Sequence, residues 1–347
     1  MIYFNNDYSE GCHPRVLERL AATNMEQTPG YGEDSYCAQA AGMIRKLCGR
    51  DDLAVHFLVG GTQTNLTVIA AALRPHQAVL GAATAHINVH ETGAVEATGH
   101  KVLSVPSHDG KITAKQVRTV VENHRASGSF EHEAQPKLVY ISNPTELGTI
   151  YTLSELEALS QTCKELGLYL FLDGARLGYG LAAADNDVTI AGIARLCDVF
   201  YIGGTKVGAL FGEAVVISNP EIRADFRYLI KQHGGMLAKG RLLGVQFGAL
   251  FEDDLYFKIS AHAVALADQI RRTLDQLGVS YLVTGTTNQI FPILSDAFLG
   301  ELSRRFTFTE MERIDENRRA VRFCTSWAST QEQVDALCAE LRRIAAR

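Results

Sequence analysis

Between residues 54 and 217 the chain alternates short apolar runs with amphipathic stretches of helical length, and this alternation restricts its fold more than any other feature. The runs at 54–59, 78–82, 102–105, 137–142, 168–173, 199–202 and 214–217 have the length of strands. Between them lie helix signals. Leu66, Val68, Ile69, Ala72 and Leu73 recur at helical spacing until Arg74-Pro75 stops them. Thr152-Leu153-Ser154-Glu155 reads as a capping box, followed by a stripe of Leu153, Leu156, Leu159 and Cys163 that ends at Gly167. Strands alternating with helices predict a largely parallel sheet covered on both faces. At 347 residues and 46% hydrophobic content the chain can bury one large α/β core and a smaller second one.

The remaining elements follow from the same signals. Helices are expected after Pro14, over 35–47 before Gly49, from Thr113 to about 125, over 223–231, and over 241–277 with an interruption near Asp253-Asp254. Residues 126–136 lack apolar periodicity and are expected as a mobile loop. Strands near 281–283 and 289–294, a helix over 296–304, and a last strand over 321–327 form the C-terminal part. Ser329-Thr330-Gln331-Glu332 is expected to cap the final helix.

Candidate chemistry sits where the strands end. After the run 199–202, Gly203-Gly204-Thr205-Lys206 places one lysine among apolar and small neighbours, with no acidic residue within six positions. A lysine in such a pocket shifts toward the neutral amine that attacks carbonyls and forms a Schiff base; the plainer alternative is a surface lysine in a tight loop. The run 168–172 delivers Asp173, with Arg176 three residues later. In open α/β sheets ligands lie at the carboxyl ends of strands, so Asp173 and Lys206 would flank one. A carboxylate paired with a Schiff-base lysine points to pyridoxal phosphate, whose pyridine nitrogen the carboxylate keeps protonated. Gly60-Gly61-Thr62, opening a helix, offers free amides and a positive dipole end to a phosphate, or is an ordinary helix cap.

With Asp173-Gly174-Ala175-Arg176 and Gly204-Thr205-Lys206 in place, the chain resembles the threonine aldolase and aromatic β-eliminating lyase family of fold-type I pyridoxal-phosphate enzymes, from about Asn5 to Trp327. The resemblance implies an aspartate aminotransferase-like α/β fold. Residues 1–250 would form a large domain with a mostly parallel seven-stranded sheet, and 251–347 a smaller α+β domain. It implies Lys206, His86 and Asp173 as catalytic residues. Gly61, Thr62, Gln63, His86, Asp173, Arg176, Thr205 and Lys206 would hold the cofactor, with His86 stacked on its ring. Asn6, Tyr31 of the Tyr31–Asp34 signature, Arg176 and Arg322 would hold the substrate. Arg322 would bind its carboxylate, the alternative being a structural ion pair; Arg176 would meet the ring hydroxyl or that carboxylate. Two departures stand out. Thr145 occupies the place of a histidine that handles the substrate hydroxyl, bringing the chain closer to the phenylserine aldolase-like branch. Leu237 replaces a basic residue that reaches a neighbouring subunit's phosphate, with Lys239 or Arg241 as substitutes.

The implied activity is cleavage of the Cα–Cβ bond of a β-hydroxy-α-amino acid to glycine and an aldehyde, with His86 or an ordered water as the base. β-Elimination or transamination on the same scaffold is the alternative within enzymes. A nucleotide-binding module is the alternative outside them, although the sequence lacks both G-x-G-x-x-G and a P-loop lysine. The net charge of −6 is spread without basic runs, so neither nucleic acid nor an anionic membrane is expected as a partner. Seven scattered cysteines without C-x-x-C spacing fit reduced thiols in a cytoplasm and predict no metal site. A homodimer or homotetramer with shared active sites is expected.

Overall fold

The computed structural model describes residues 1–346. After β1 (Ile2–Tyr3), seven strands build the large sheet: β2 (Ala54–Leu58), β3 (Gln77–Ala82), β4 (Lys101–Val105), β5 (Gln135–Ser142), β6 (Tyr169–Asp173), β7 (Val199–Gly203) and β8 (Glu213–Ile217). Their spatial order is β2-β8-β7-β6-β5-β3-β4. All neighbouring pairs are parallel except β2–β8 and β7–β8, so β8 alone runs against the rest. Successive residues of a strand point to opposite faces. Every residue of β7 and β8 is buried, which requires cover on both faces and explains why these runs, Glu213 apart, are apolar rather than alternating.

The register sets the working edge. Ser142 pairs with Asp173, and Gly203 with Glu213, so the carboxyl ends of β5, β6 and β7 and the start of β8 lie side by side. Two glycines allow the chain to turn there. A Cβ on Gly174 would stand 2.0 Å from the Tyr201 carbonyl oxygen, and one on Gly203 would stand 2.2 Å from that of Ala175. Gly203 N–H donates to the Gly174 carbonyl at 2.9 Å, locking the two strand ends together.

A second core is built on β9 (Gln289–Ile290), β10 (Ile293–Ser295), β11 (Phe306–Thr307), β12 (Thr309–Arg313) and β13 (Arg318–Cys324). β13 lies between β10 and β12, antiparallel to both, and its end pairs with β9. The expected division at residue 250 needs correction at both termini of the large unit. β1 pairs with β11 and Phe4 is buried in the second core, so the first residues belong with the C-terminal part. The helix Leu255–Gln276 serves both cores, with Leu255, Tyr256 and Ile259 in the first and Leu266, Ile270 and Leu274 in the second.

Several local expectations also shift. The helix expected over 223–231 is two, Pro220–Arg223 and Phe226–Gln232, because Asp225 adopts φ 57°. The break near Asp253-Asp254 is present, both residues being left-handed. Residues 281–283 form only a bridge from Tyr281 to Pro292. The segment 126–136 is a closed turn, in which Ser127 Oγ donates to Glu133 at 2.6 Å and Gln135 already opens β5. The last helix is capped by Thr330 and Gln333, one residue later than expected, since Ser329 Oγ accepts from Ser326 N–H instead. Among the described residues no helix is long and apolar enough to cross a membrane.

The contact at Gly174 supplies a test. Gly174→Ala forces a Cβ against the Tyr201 carbonyl, an overpacking cost of about 1–3 kcal/mol. Urea unfolding should show a lowered midpoint; an unchanged midpoint would mean that the strand ends are not locked in this way.

Candidate active site

A cleft of about 310 Å3 opens at this edge, lined by Gly61, His86, Glu146, Asp173, Lys206 and Glu213 among others. Its geometry follows from where each strand stops. Asp173, the last residue of β6, is buried and held by three donors. Tyr140 Oη donates to Oδ2 at 2.5 Å, Asn65 Nδ2 to Oδ2 at 3.1 Å, and Ala175 N–H to Oδ1 at 2.9 Å. A carboxylate has about four acceptor positions, so one remains on Oδ1.

Lys206 lies in the turn between β7 and β8, its carbonyl accepting from Tyr179 Oη at 2.5 Å. Among the described residues its ammonium has no hydrogen bond or ion pair. Burial lowers its proton affinity and Arg176 lowers it further, against Asp7, Asp173 and Glu213. Acids from beyond the six neighbouring positions therefore act on this lysine. Glu213 stands seven residues away, and the β7–β8 hairpin folds it back onto the same turn. There it accepts from Gly204 N–H at 3.1 Å and Thr205 Oγ at 2.9 Å. Burial pushes the Glu213 carboxyl up to about 8. The available signal was a carboxylate opening the otherwise apolar run 213–217.

Arg176 lines the cleft, but its guanidinium is committed to Asp7, with Nε and Nη2 donating at 2.6 and 3.0 Å. Burial opposes ionisation of Asp7, yet Arg176 and Lys206 hold its carboxyl below the usual range. Asp7 also accepts from Asn288 Nδ2 at 3.0 Å. Asn6 is not brought into the cleft. Its Oδ1 closes a turn by accepting from Tyr8 N–H and Ser9 Oγ, and Tyr8 lines the cleft instead.

His86 does line the cleft, its Nδ1 2.8 Å from Glu91 Oε1. Asn65 Nδ2 donates to the same Glu91 oxygen at 2.7 Å, so one amide ties the His86 support to Asp173. His90 stands outside, its ring 5.5 Å from that of His86. The helix Gly61–Ala72 begins at the cleft with no side chain capping it, leaving its first amides open toward Gly60, Gly61 and Thr62. Gln63 turns away: Oε1 accepts from Val59 N–H and Nε2 donates to the His233 carbonyl. Thr205 lines the cleft, although its hydroxyl is engaged by Glu213 and Gly212 N–H.

Arg322 on β13 is not among the residues lining the cleft. The structural ion pair proposed as its alternative is absent among the described residues. Its Nη atoms donate only to the Asn5 carbonyl, Gln289 Oε1 and Thr309 Oγ, and its buried Nε has no partner. Tyr31 is in a separate cavity of about 300 Å3 with Arg227 and Leu237. Arg241 donates to the Glu26 and Asn24 carbonyls, and Lys239 is exposed. Thr145 is buried against Thr149 Oγ at 2.7 Å, whereas Glu146 beside it enters the cleft.

These donors match pyridoxal phosphate in kind and order. An uncapped helix start suits a phosphate, an unpaired lysine an aldehyde, and the free position on Asp173 a pyridine N–H. A family model for beta-eliminating lyases matches residues 7–297. The low specificity L-threonine aldolase of Pseudomonas aeruginosa is 31% identical over 98% of this chain and 97% of its own length. The solved structure of Leishmania major threonine aldolase superposes with a TM-score of 0.97 at 46% identity, covering 99% of this chain and 100% of that one. The histidinol-phosphate aminotransferase of Clostridium acetobutylicum, at 12% identity and a TM-score of 0.75 over 100% of this chain and 99% of its own, shares the fold. The chain is a member of the beta-eliminating lyase family, with the aspartate aminotransferase-like fold and dependence on pyridoxal phosphate that go with it.

Proposed function

We propose that this protein is a lyase that cleaves the Cα–Cβ bond of a β-hydroxy-α-amino acid of the threonine, allo-threonine or phenylserine type, giving glycine and an aldehyde. The observation that carries the reading is the unpaired, desolvated Lys206 in one cleft with Asp173 and an uncapped helix start. The names of the two threonine aldolase relatives support it. When bound, pyridoxal phosphate supplies an aldehyde that links to amines and a protonated ring that takes up the electron pair left on Cα.

The chain's own residues do the rest. Lys206, biased toward the free amine by burial and by Arg176, is the nucleophile for the aldehyde. Asp173, fixed by Tyr140, Asn65 and the Ala175 amide, keeps a proton on the ring nitrogen through its remaining Oδ1 position. The amides of Gly61 and Thr62 bind the phosphate, and His86 offers a flat face braced by Glu91. Arg322, free of any carboxylate among the described residues, is the receptor for the substrate carboxylate, which sets the substrate's orientation. Arg176 spends two of its three nitrogens on Asp7 and so holds the N-terminal segment over the cleft, with Nη1 left for a cofactor or substrate oxygen.

The test is product analysis with threonine, allo-threonine, phenylserine and serine. Glycine and the matching aldehyde should appear from at least one β-hydroxy substrate. Lys206→Ala should abolish turnover, and Asp173→Asn should lower it by at least about tenfold, or 1.4 kcal/mol. Pyruvate and ammonia from serine, with no aldehyde from any substrate, would instead establish β-elimination.

We further propose a homodimer or homotetramer in which neighbouring chains complete each site. A helix start contributes only about 0.3–1 kcal/mol toward an anion, too little alone for a phosphate dianion. Tyr31 stands outside the cleft, in a cavity shared with Gly235, which approaches Gln63 near the helix start, and Lys239 is exposed. Light scattering should give at least a dimer under assay conditions; a fully active monomer would contradict shared sites.

A further inference from the structure

We propose that Glu146 is a catalytic residue, the base that takes the proton from the substrate's β-hydroxyl; this rests on the Cα–Cβ cleavage reading above. Glu146 follows β5 and lines the cleft with Asp173 and Lys206. Its two oxygens are in different situations. Oε1 accepts from Ser142 Oγ at 2.7 Å and from His86 N–H at 3.0 Å. Oε2 has no partner among the described residues, and it is not one of the sealed, unpartnered atoms of the interior. One oxygen is thus anchored by two donors while the other is presented to the cleft, the arrangement a positioned base requires.

Several of the other polar groups nearby are already engaged. Thr145 is buried against Thr149, Tyr140 donates to Asp173, and His86 Nδ1 is held by Glu91. His86 also has its face assigned to the cofactor ring, and its backbone amide is one of the donors that anchor Glu146. The charge environment strengthens it as a base. Burial raises the Glu146 carboxyl above its ordinary range, and Asp173 adds to this against the Ser142 and His86 hydrogen bonds. The titratable groups facing it are Asp173 on β6, Tyr140 on β5, Tyr151 beyond the loop, and His86 with Glu91. Arg176, Lys206 and Glu213 line the same cleft.

The step balances without a co-reactant. The hydroxyl proton moves to Glu146 Oε2, the O–H electron pair becomes the second C–O bond of the aldehyde, and the Cα–Cβ bond breaks with its pair left on Cα. The one proton taken from oxygen equals the one that the glycine α-carbon gains.

Glu146→Gln keeps an Oε1 acceptor for Ser142 and His86, so the cleft should stay intact. The variant should lose about 10²–10⁴-fold in kcat for cleavage, while retaining cofactor, glycine affinity by spectral titration, and glycine α-proton exchange within about threefold. Glycine has no β-hydroxyl, so a merely structural role for Glu146 would damage exchange and cleavage together. In the wild type, kcat/KM should fall on the acid side as Glu146 is protonated. Ser142→Ala, by removing a bond that favours the charged form, should move that limb to higher pH. Infrared titration of the cofactor-free protein should show a carboxyl band, absent in Glu146→Gln, that titrates above the ordinary carboxylate range. Wild-type cleavage with an unimpaired Glu146→Gln variant would overturn this proposal alone. Equal loss of exchange and cleavage would also overturn it. A wild type that releases no aldehyde would overturn the cleavage reading and this proposal with it.

Discussion

The removal of the Lys206 ammonium from water is the constraint on which the rest of the site depends. A buried cation without a direct partner is costly, and proteins respond by moving its proton affinity or by supplying counter-charge. Both occur here. Asp7, Asp173 and Glu213 favour the ammonium, whereas burial and Arg176 favour the amine, and the second set prevails. The acids are subject to the same burial: it pushes Glu213 up to about 8 although Lys206 opposes the shift, and it raises Glu146 as well. These groups lie together because four strand ends and one hairpin converge on one edge.

Much of the fold was legible in the sequence because parallel, two-sided burial leaves an unmistakable pattern of short apolar runs between capped helices. The same pattern put Asp173 and Lys206 at strand ends, and the model places them in one cleft. What escaped notice depends on contacts that local windows do not contain. Asp7 meets Arg176 across 169 positions, and Asn65 meets Asp173 across 108. Glu213 lies only seven positions from Lys206, yet a hairpin had to be recognised before its carboxylate could be placed. The split at Asp225 and the late cap at Thr330 are subtler, since each depends on which of two competing polar residues the backbone selects. Tyr31, implied by resemblance, and Lys239, offered as a substitute for Leu237, are not among the residues lining the cleft.

The scaffold does not choose the reaction. An aminotransferase with 12% identity shares the fold at a TM-score of 0.75, and a shared fold does not fix the chemistry. Selection has to come from what faces the substrate's β-carbon. In this chain the cleft carries Glu146, held by Ser142 and the His86 amide, beside the buried Thr145.

The central claim, that the cleft is organised around one covalently engaged lysine, is tested most directly by borohydride reduction of the cofactor-loaded protein followed by peptide mass mapping. The account predicts a single pyridoxyl group, on Lys206. A pyridoxyl group fixed at another lysine, with Lys206 recovered unmodified, would contradict it.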